Sequence, residues 1–267
     1  MLAFAKYLDS DTQWSFLAPE FWLYFGGWIV WVPSYVVAVW FLFFKRDDQG
    51  KSRHCLVPTI AVCANISFEL LWSVLLFWQF YHTGFGHGAV RFVYVGAFLL
   101  DIPILIGVAK YGTIGITGLR KRDCDREPQG LESYVTVAMI CGVWLAIYIG
   151  LIFSFEVPFG SVGAYLDNAV MSMLFVWRTK FDRNVPASVW LAFSKFFGTF
   201  FVTIMLAVHY LGREFMFLYV LAGLSAFFDC WYLYYALRNG IERRAALPTV
   251  DLQFDRNILP SAVVYSA

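Results

Sequence analysis

Charge is scarce in this chain. Only 15% of its 267 residues are Asp, Glu, Lys or Arg, against 60% hydrophobic and 20% aromatic, a balance that excludes an ordinary soluble domain. The net charge is +1, and no basic arm or aromatic-interleaved basic patch is present, so nucleic acid is not an expected partner. The five cysteines, Cys55, Cys63, Cys124, Cys141 and Cys230, lack C-x-x-C spacing and mostly fall in apolar runs. They read as small packing residues and not as a disulfide frame or zinc site. The first twenty residues lack the basic start and small-residue cleavage site of a secretory signal. Internal repeats and a soluble domain are also missing.

Long apolar runs are what the chain has. Seven stretches are read as membrane spans: Phe21 to Phe44, Cys55 to Phe80, Phe92 to Ala109, Tyr134 to Phe155, Val162 to Trp177, Val189 to Leu211 and Phe215 to Leu237. Most reach the length needed to cross about 30 Å of hydrocarbon as a helix; the fifth is short. The expected fold is therefore an all-α seven-transmembrane-helix bundle over residues 21–237, with an interfacial lead-in at 1–20 and a polar tail at 238–267. Charge in the connections gives an independent check. The loops after spans one, three and five, with the tail, hold sixteen Lys and Arg, whereas the N-terminus and the other loops hold three. Cytoplasmic loops collect basic residues, so the N-terminus is expected outside or in a lumen and the C-terminus in the cytoplasm.

Inside the spans the polar inventory is short. Glu69 is the single charge between Cys55 and Phe80, with Asn65 four residues before it and Trp72 three after, on one helical face. Asp101 sits mid-span in FLLDIP, beside Pro103. Asp229 sits in LSAFFDCWYLYY, sharing a face with Ser225 and Tyr232. Lys195 lies two turns into span six, placed to pair with an acid or to snorkel. Asp167 and Asn168 fall near the start of span five, where capping is a natural role. Intramembrane acids are expensive and mark functional sites by default. By contrast DCDRE, Asp123 to Glu127, is embedded among Arg120, Lys121, Arg122 and Arg126 and reads as a solvated loop, not a metal-diphosphate site. His82 and His87 flank glycines in a turn and have no third ligand.

A carboxylic acid held away from water is suited to act as a general acid. Aromatic faces from Phe68, Trp72, Trp231 and Tyr232 can stabilise positive charge, and a dry site keeps a reactive cation from being quenched. These features fit proton-initiated carbocation chemistry on a lipophilic substrate, and they fit a proton-coupled transporter equally well.

Four segments are similar, in order, to the PaxB-type family of integral membrane terpene cyclases of fungal meroterpenoid and indole-diterpene pathways. They are CANISFELLW, with its Asn-x-x-x-Glu core; FLLDIP; DNAVMSMLFVW, with a Met-Ser-x-x-Phe segment; and LSAFFDCWYLYYAL, with a Phe-x-x-Asp-x-x-Tyr segment. The resemblance runs from about Phe21 to Leu237. It implies a seven-helix enzyme without cofactor or metal, in which an acid protonates an epoxide or olefin of a prenylated substrate and starts cyclisation. Glu69 and Asp229 match the family's two acids, one as proton donor and the other supporting it, with Asp101 as a third candidate. Asn65, Phe68, Trp72, Asn168, Lys195, Ser225, Trp231 and Tyr232 are the expected substrate contacts. The implied partners are a lipophilic prenylated molecule and the bilayer, with no protein partner. The compartment is the endoplasmic reticulum in a eukaryote or the cytoplasmic membrane in a bacterium.

Two rivals meet specific objections. A retinal-type receptor needs a lysine mid-way along the seventh helix, and the lysine here is on the sixth. A transporter built from repeated halves would show matching broken helices, and no such symmetry is visible.

Overall fold

In the computed structural model the described residues are 19–44, 57–83, 90–111, 131–154, 161–181, 188–209 and 216–246. They form seven helices and no strand: α1 Pro19–Phe43, α2 Thr59–Thr83, α3 Val90–Tyr111, α4 Leu131–Ser154, α5 Ser161–Phe181, α6 Val189–His209 and α7 Met216–Ala246. The lead-in up to residue 18, the DCDRE loop, the Gly-rich turn with His87, Cys55, Cys124 and the tail beyond 246 lie outside the described residues.

Each span of the sequence has its helix, because an apolar run in lipid must satisfy its backbone internally. α1, α2, α3, α4 and α7 are long and apolar enough to cross a membrane, and α6 is apolar over the shorter stretch Val189–Ile204. The ends differ from the hydropathy limits where local chemistry intervenes. α1 opens at Pro19, whose missing N–H costs nothing in a first turn. α6 opens behind Ser188, whose Oγ accepts the Leu191 N–H at 3.3 Å as an N-cap. α7 continues through Ala246, past Leu237, since leaving hydrocarbon does not by itself end a helix.

Six helices close a ring in the spatial order α1, α3, α4, α5, α7, α6, and α2 packs against α3, α4 and α5. Of the five long apolar helices α2 is the most enclosed, with 67% of its span buried, against 11% for α4 at the periphery. Trp22, Val36, Trp40, Val74, Met139 and Phe153 face outward, as lipid-facing surfaces should. Glu69, Asp101, Asp167, Lys195 and Asp229 are all buried, so the bundle is polar inside and apolar outside.

Lipid tails are as apolar as leucine, so burial alone does not hold such helices together; close packing and interhelical hydrogen bonds do. Gly198 is the clearest case. A Cβ there would stand 1.5 Å from the Trp31 ring, and one at Gly27 would meet the Gly198 carbonyl at 2.9 Å. α1 and α6 therefore touch through glycines, with the Trp31 indole laid against bare backbone. Arg178 Nη1 donates to the Val57 carbonyl at 3.0 Å and ties the end of α5 to the start of α2.

Candidate active site

Glu69 faces inward because α2 is enclosed, and its carboxyl meets donors from two helices. Tyr35 Oη on α1 donates to Glu69 Oε1 at 2.9 Å. Asn65 Nδ2, one turn before the acid, donates to the same oxygen at 3.1 Å and to Asp101 Oδ2 on α3 at 2.6 Å. Asn65 Nδ2 is the shared donor that brings Glu69 and Asp101 to one point. The two acids are 4% and 3% exposed, and among the described residues neither has a cation in salt-bridge contact. One amide thus holds two carboxyl groups together in the interior of the bundle.

A second polar centre lies across the bundle. Lys195 Nζ on α6 donates to Asp229 Oδ1 on α7 at 2.7 Å and also to Ser172 Oγ on α5. Ser172 in turn donates to the Asn168 carbonyl at 2.6 Å. Lys195 and Asp229 are 3% and 1% exposed. The Lys195 ammonium also stands 5.9 Å from the Trp31 ring centroid, within cation–π range. Of the two roles open to Lys195, the structure shows pairing.

Two cavities flank the Glu69–Asp101 cluster. The larger, about 100 Å³, is lined by Trp28, Trp31, Tyr35, Asn65, Phe68, Glu69, Tyr94, Asp167 and Asn168 among others. The smaller, about 50 Å³, is lined by Trp31, Tyr35, Asn65, Asp101, Phe175 and Lys195 among others. A single water needs roughly 10–15 Å³ of such volume, so each admits several waters. Trp31, Tyr35 and Asn65 belong to both walls and form the partition. The larger cavity draws on early turns of α1, α3 and α5 and a late stretch of α6; the smaller draws on later turns of the odd helices and an early stretch of α6. The cavities are therefore stacked along the bundle axis, Glu69 opening to one and Asp101 to the other.

Comparison with family models, curated proteins and solved structures finds no match. The site must speak through its own geometry.

That geometry sorts the residues expected from sequence. Asn65, Glu69 and Asp101 form one centre, with Phe68 and Asn168 on the cavity wall beside it. Lys195 lines the smaller cavity and joins Asp229 in the other centre. Trp72 packs with Phe68, Leu76, Tyr94 and Tyr148 in an aromatic core. Ser225, Asp229 and Tyr232 share a buried face of α7, with Tyr232 against Phe175 at 5.0 Å between centroids. Trp231 stacks with Phe228 and Tyr235, with Lys180 Nζ 6.0 Å above its ring. Asp167 lies in the second turn of α5, 2% exposed on the wall of the larger cavity, which is not a capping position.

Sequence reasoning missed Tyr35, Trp28 and Trp31. In a helix as aromatic as α1 nothing singles them out, and only their partners across the bundle do. Among the described residues no group of three or more His, Cys, Asp or Glu is placed to hold a metal ion.

Proposed function

We propose that this chain is a membrane-bound terpene cyclase in which the Glu69–Asp101 pair supplies the proton that starts cyclisation of a prenylated, meroterpenoid-type substrate. The observation that carries this is the pairing of two carboxyl groups by Asn65, without a salt-bridging cation among the described residues, on the walls of largely apolar cavities. Two buried carboxyl groups gathered on one neutral amide are least costly when at least one of them carries a proton. Glu69, on the larger cavity, is the donor to the epoxide oxygen or olefin carbon. The cation so formed is attacked by the next double bond of the chain, which forms a carbon–carbon bond and moves the charge along. The last cation loses a proton to the Glu69–Asp101 pair, which is one proton short after the first step; this restores the pair and leaves a product of the substrate's mass. Asp101, on the smaller cavity, is the second member of the pair and shares the proton that the last cation gives back. Phe68, Tyr94 and Trp28 line the space where charge migrates and offer ring faces to it.

Asp229 has a different task in this scheme. Bound to the Lys195 ammonium, it keeps that charge compensated and holds Ser172 and α5 in place, so it is a positioning residue. The orientation in the membrane follows the loop charges: N-terminus outside or lumenal, C-terminus cytoplasmic, in the endoplasmic reticulum of a eukaryote or the cytoplasmic membrane of a bacterium.

A proton-coupled carrier is the second reading, favoured by one observation: the acid pair sits at a partition between two stacked cavities. Glu69→Gln separates the two. It keeps the shape and the Tyr35 and Asn65 contacts but removes the acid. In membranes holding folded protein, the cyclase reading expects loss of isomer formation by about a hundredfold or more, and unchanged turnover would overturn it. Substrate-dependent proton uptake into sealed vesicles without any isomerised product would establish the carrier.

A further inference from the structure

Five residues that line the larger cavity each carry a buried polar atom without a hydrogen-bond partner among the described residues. Among the described residues the buried Trp28 Nε1 and Trp31 Nε1 have no acceptor, and the buried Glu69 Oε2, Asp167 Oδ1 and Asn168 Oδ1 have no donor. Buried polar groups are nearly always satisfied, and leaving one unmet is costly. Two N–H donors, two acceptors and the Glu69 carboxyl around one space describe a site for an oxygen function, not for a bare hydrocarbon.

The two indoles are also built into position. A Cβ at Gly96 on α3 would come within 3.1 Å of the Trp28 ring, and one at Gly198 on α6 would overlap the Trp31 ring. Each ring rests on a glycine of a neighbouring helix. Phenylalanine, frequent in the same helix, would offer a smaller ring and no donor, whereas tryptophan adds an N–H.

We infer that Trp28 and Trp31 form an oxygen-binding fork for the oxygenated end of a prenyl ligand, whose oxygen accepts from the indole N–H groups while Asp167 and Asn168 accept from a hydroxyl where the ligand carries one. This rests on the cyclase reading for the identity of the ligand but not for the site itself. It places the oxygen beside Glu69, and it makes both indoles specificity determinants for oxygenated over hydrocarbon chains.

The test uses the full chain in lipid nanodiscs, labelled with ¹⁵N at its eleven tryptophans, and two probes of equal carbon count, farnesol and farnesene. Indole N–H resonances are assigned with Trp28→Phe and Trp31→Phe, each checked for retained fold by its thermal transition. With farnesol, the Trp28 and Trp31 N–H signals shift downfield, as new hydrogen bonds require. With farnesene they do not, and apparent affinity falls by about tenfold, the worth of one to two net hydrogen bonds. Equal shifts with both probes, no shift with either, or movement confined to other indoles would overturn the fork. Should either variant fail to fold, the contrast between the probes in the wild-type protein still decides. Cyclisation without this contrast would sink the fork and leave the cyclase standing; the contrast without cyclisation would do the reverse.

Discussion

At Lys195, hydrogen bonds to Asp229 and Ser172 stand in place of the water that an ammonium loses on burial. Removing one charge of such a pair leaves the other uncompensated, which costs about 3–5 kcal/mol in buried pairs, whereas replacing both with apolar groups is often neutral. Asp229→Asn and Lys195→Met are therefore each expected to lower the unfolding free energy by about that amount, and Lys195→Met with Asp229→Leu to recover most of it. Thermal unfolding in detergent measures this. Destabilisation by Asp229→Asn no greater than that of Glu69→Gln would contradict a positioning role. Glu69 differs because its contacts are neutral donors, so Glu69→Gln is expected to keep the fold and lose the chemistry. The sequence marked Glu69, Asp101 and Asp229 alike as acids at depth. It could not say which one the lysine takes, because that depends on which helices become neighbours.

Between elements, the seam of α1 and α6 is set by Gly27 and Gly198. Gly198→Ala puts a methyl group into the Trp31 ring, so the ring must leave the partition between the cavities. The expected cost is about 1–3 kcal/mol, together with movement of the Trp31 indole resonance. Gly142 on α4 has nothing among the described residues within 4 Å of its Cβ position, and Gly142→Ala is expected to be neutral or slightly stabilising, since alanine is the better helix former. Comparable losses in both variants would contradict the seam. Helix positions were legible from the apolar runs, since length and hydropathy are local properties. The roles of Trp28, Trp31 and Tyr35 were not, because in an aromatic-rich span the informative property is the partner. Asp167 misled for a related reason: it lies in the second turn of α5, and only the packing of α5 against its neighbours puts it on the wall of the larger cavity.

The bundle as a whole reverses the usual arrangement, with acids and lysine within and tryptophan, phenylalanine and valine on the outside. This much was legible, because composition alone forced a membrane fold and the three acids shared one depth. The ring order and the enclosure of α2 were not, since apolar helices of similar length pack in many orders at similar cost. The loop charges predict the orientation. In a cysteine-free background, single cysteines in place of Gly115 or Arg183 should react with an impermeant maleimide from the cytoplasmic side, and those in place of Phe85 or Pro158 from the other. The opposite labelling would invert the proposed topology.

The central claim is that a carboxyl pair in the membrane starts a cyclisation. The most direct measurement incubates membranes containing the chain, in excess chelator, with epoxidised and unepoxidised farnesyl and geranylgeranyl meroterpenoid precursors, and separates the products by chromatography and mass. A new isomer of unchanged mass, formed by the wild type and lost in Glu69→Gln, is the predicted result. Conversion of no precursor by membranes holding folded protein, or equal conversion by Glu69→Gln, would contradict it.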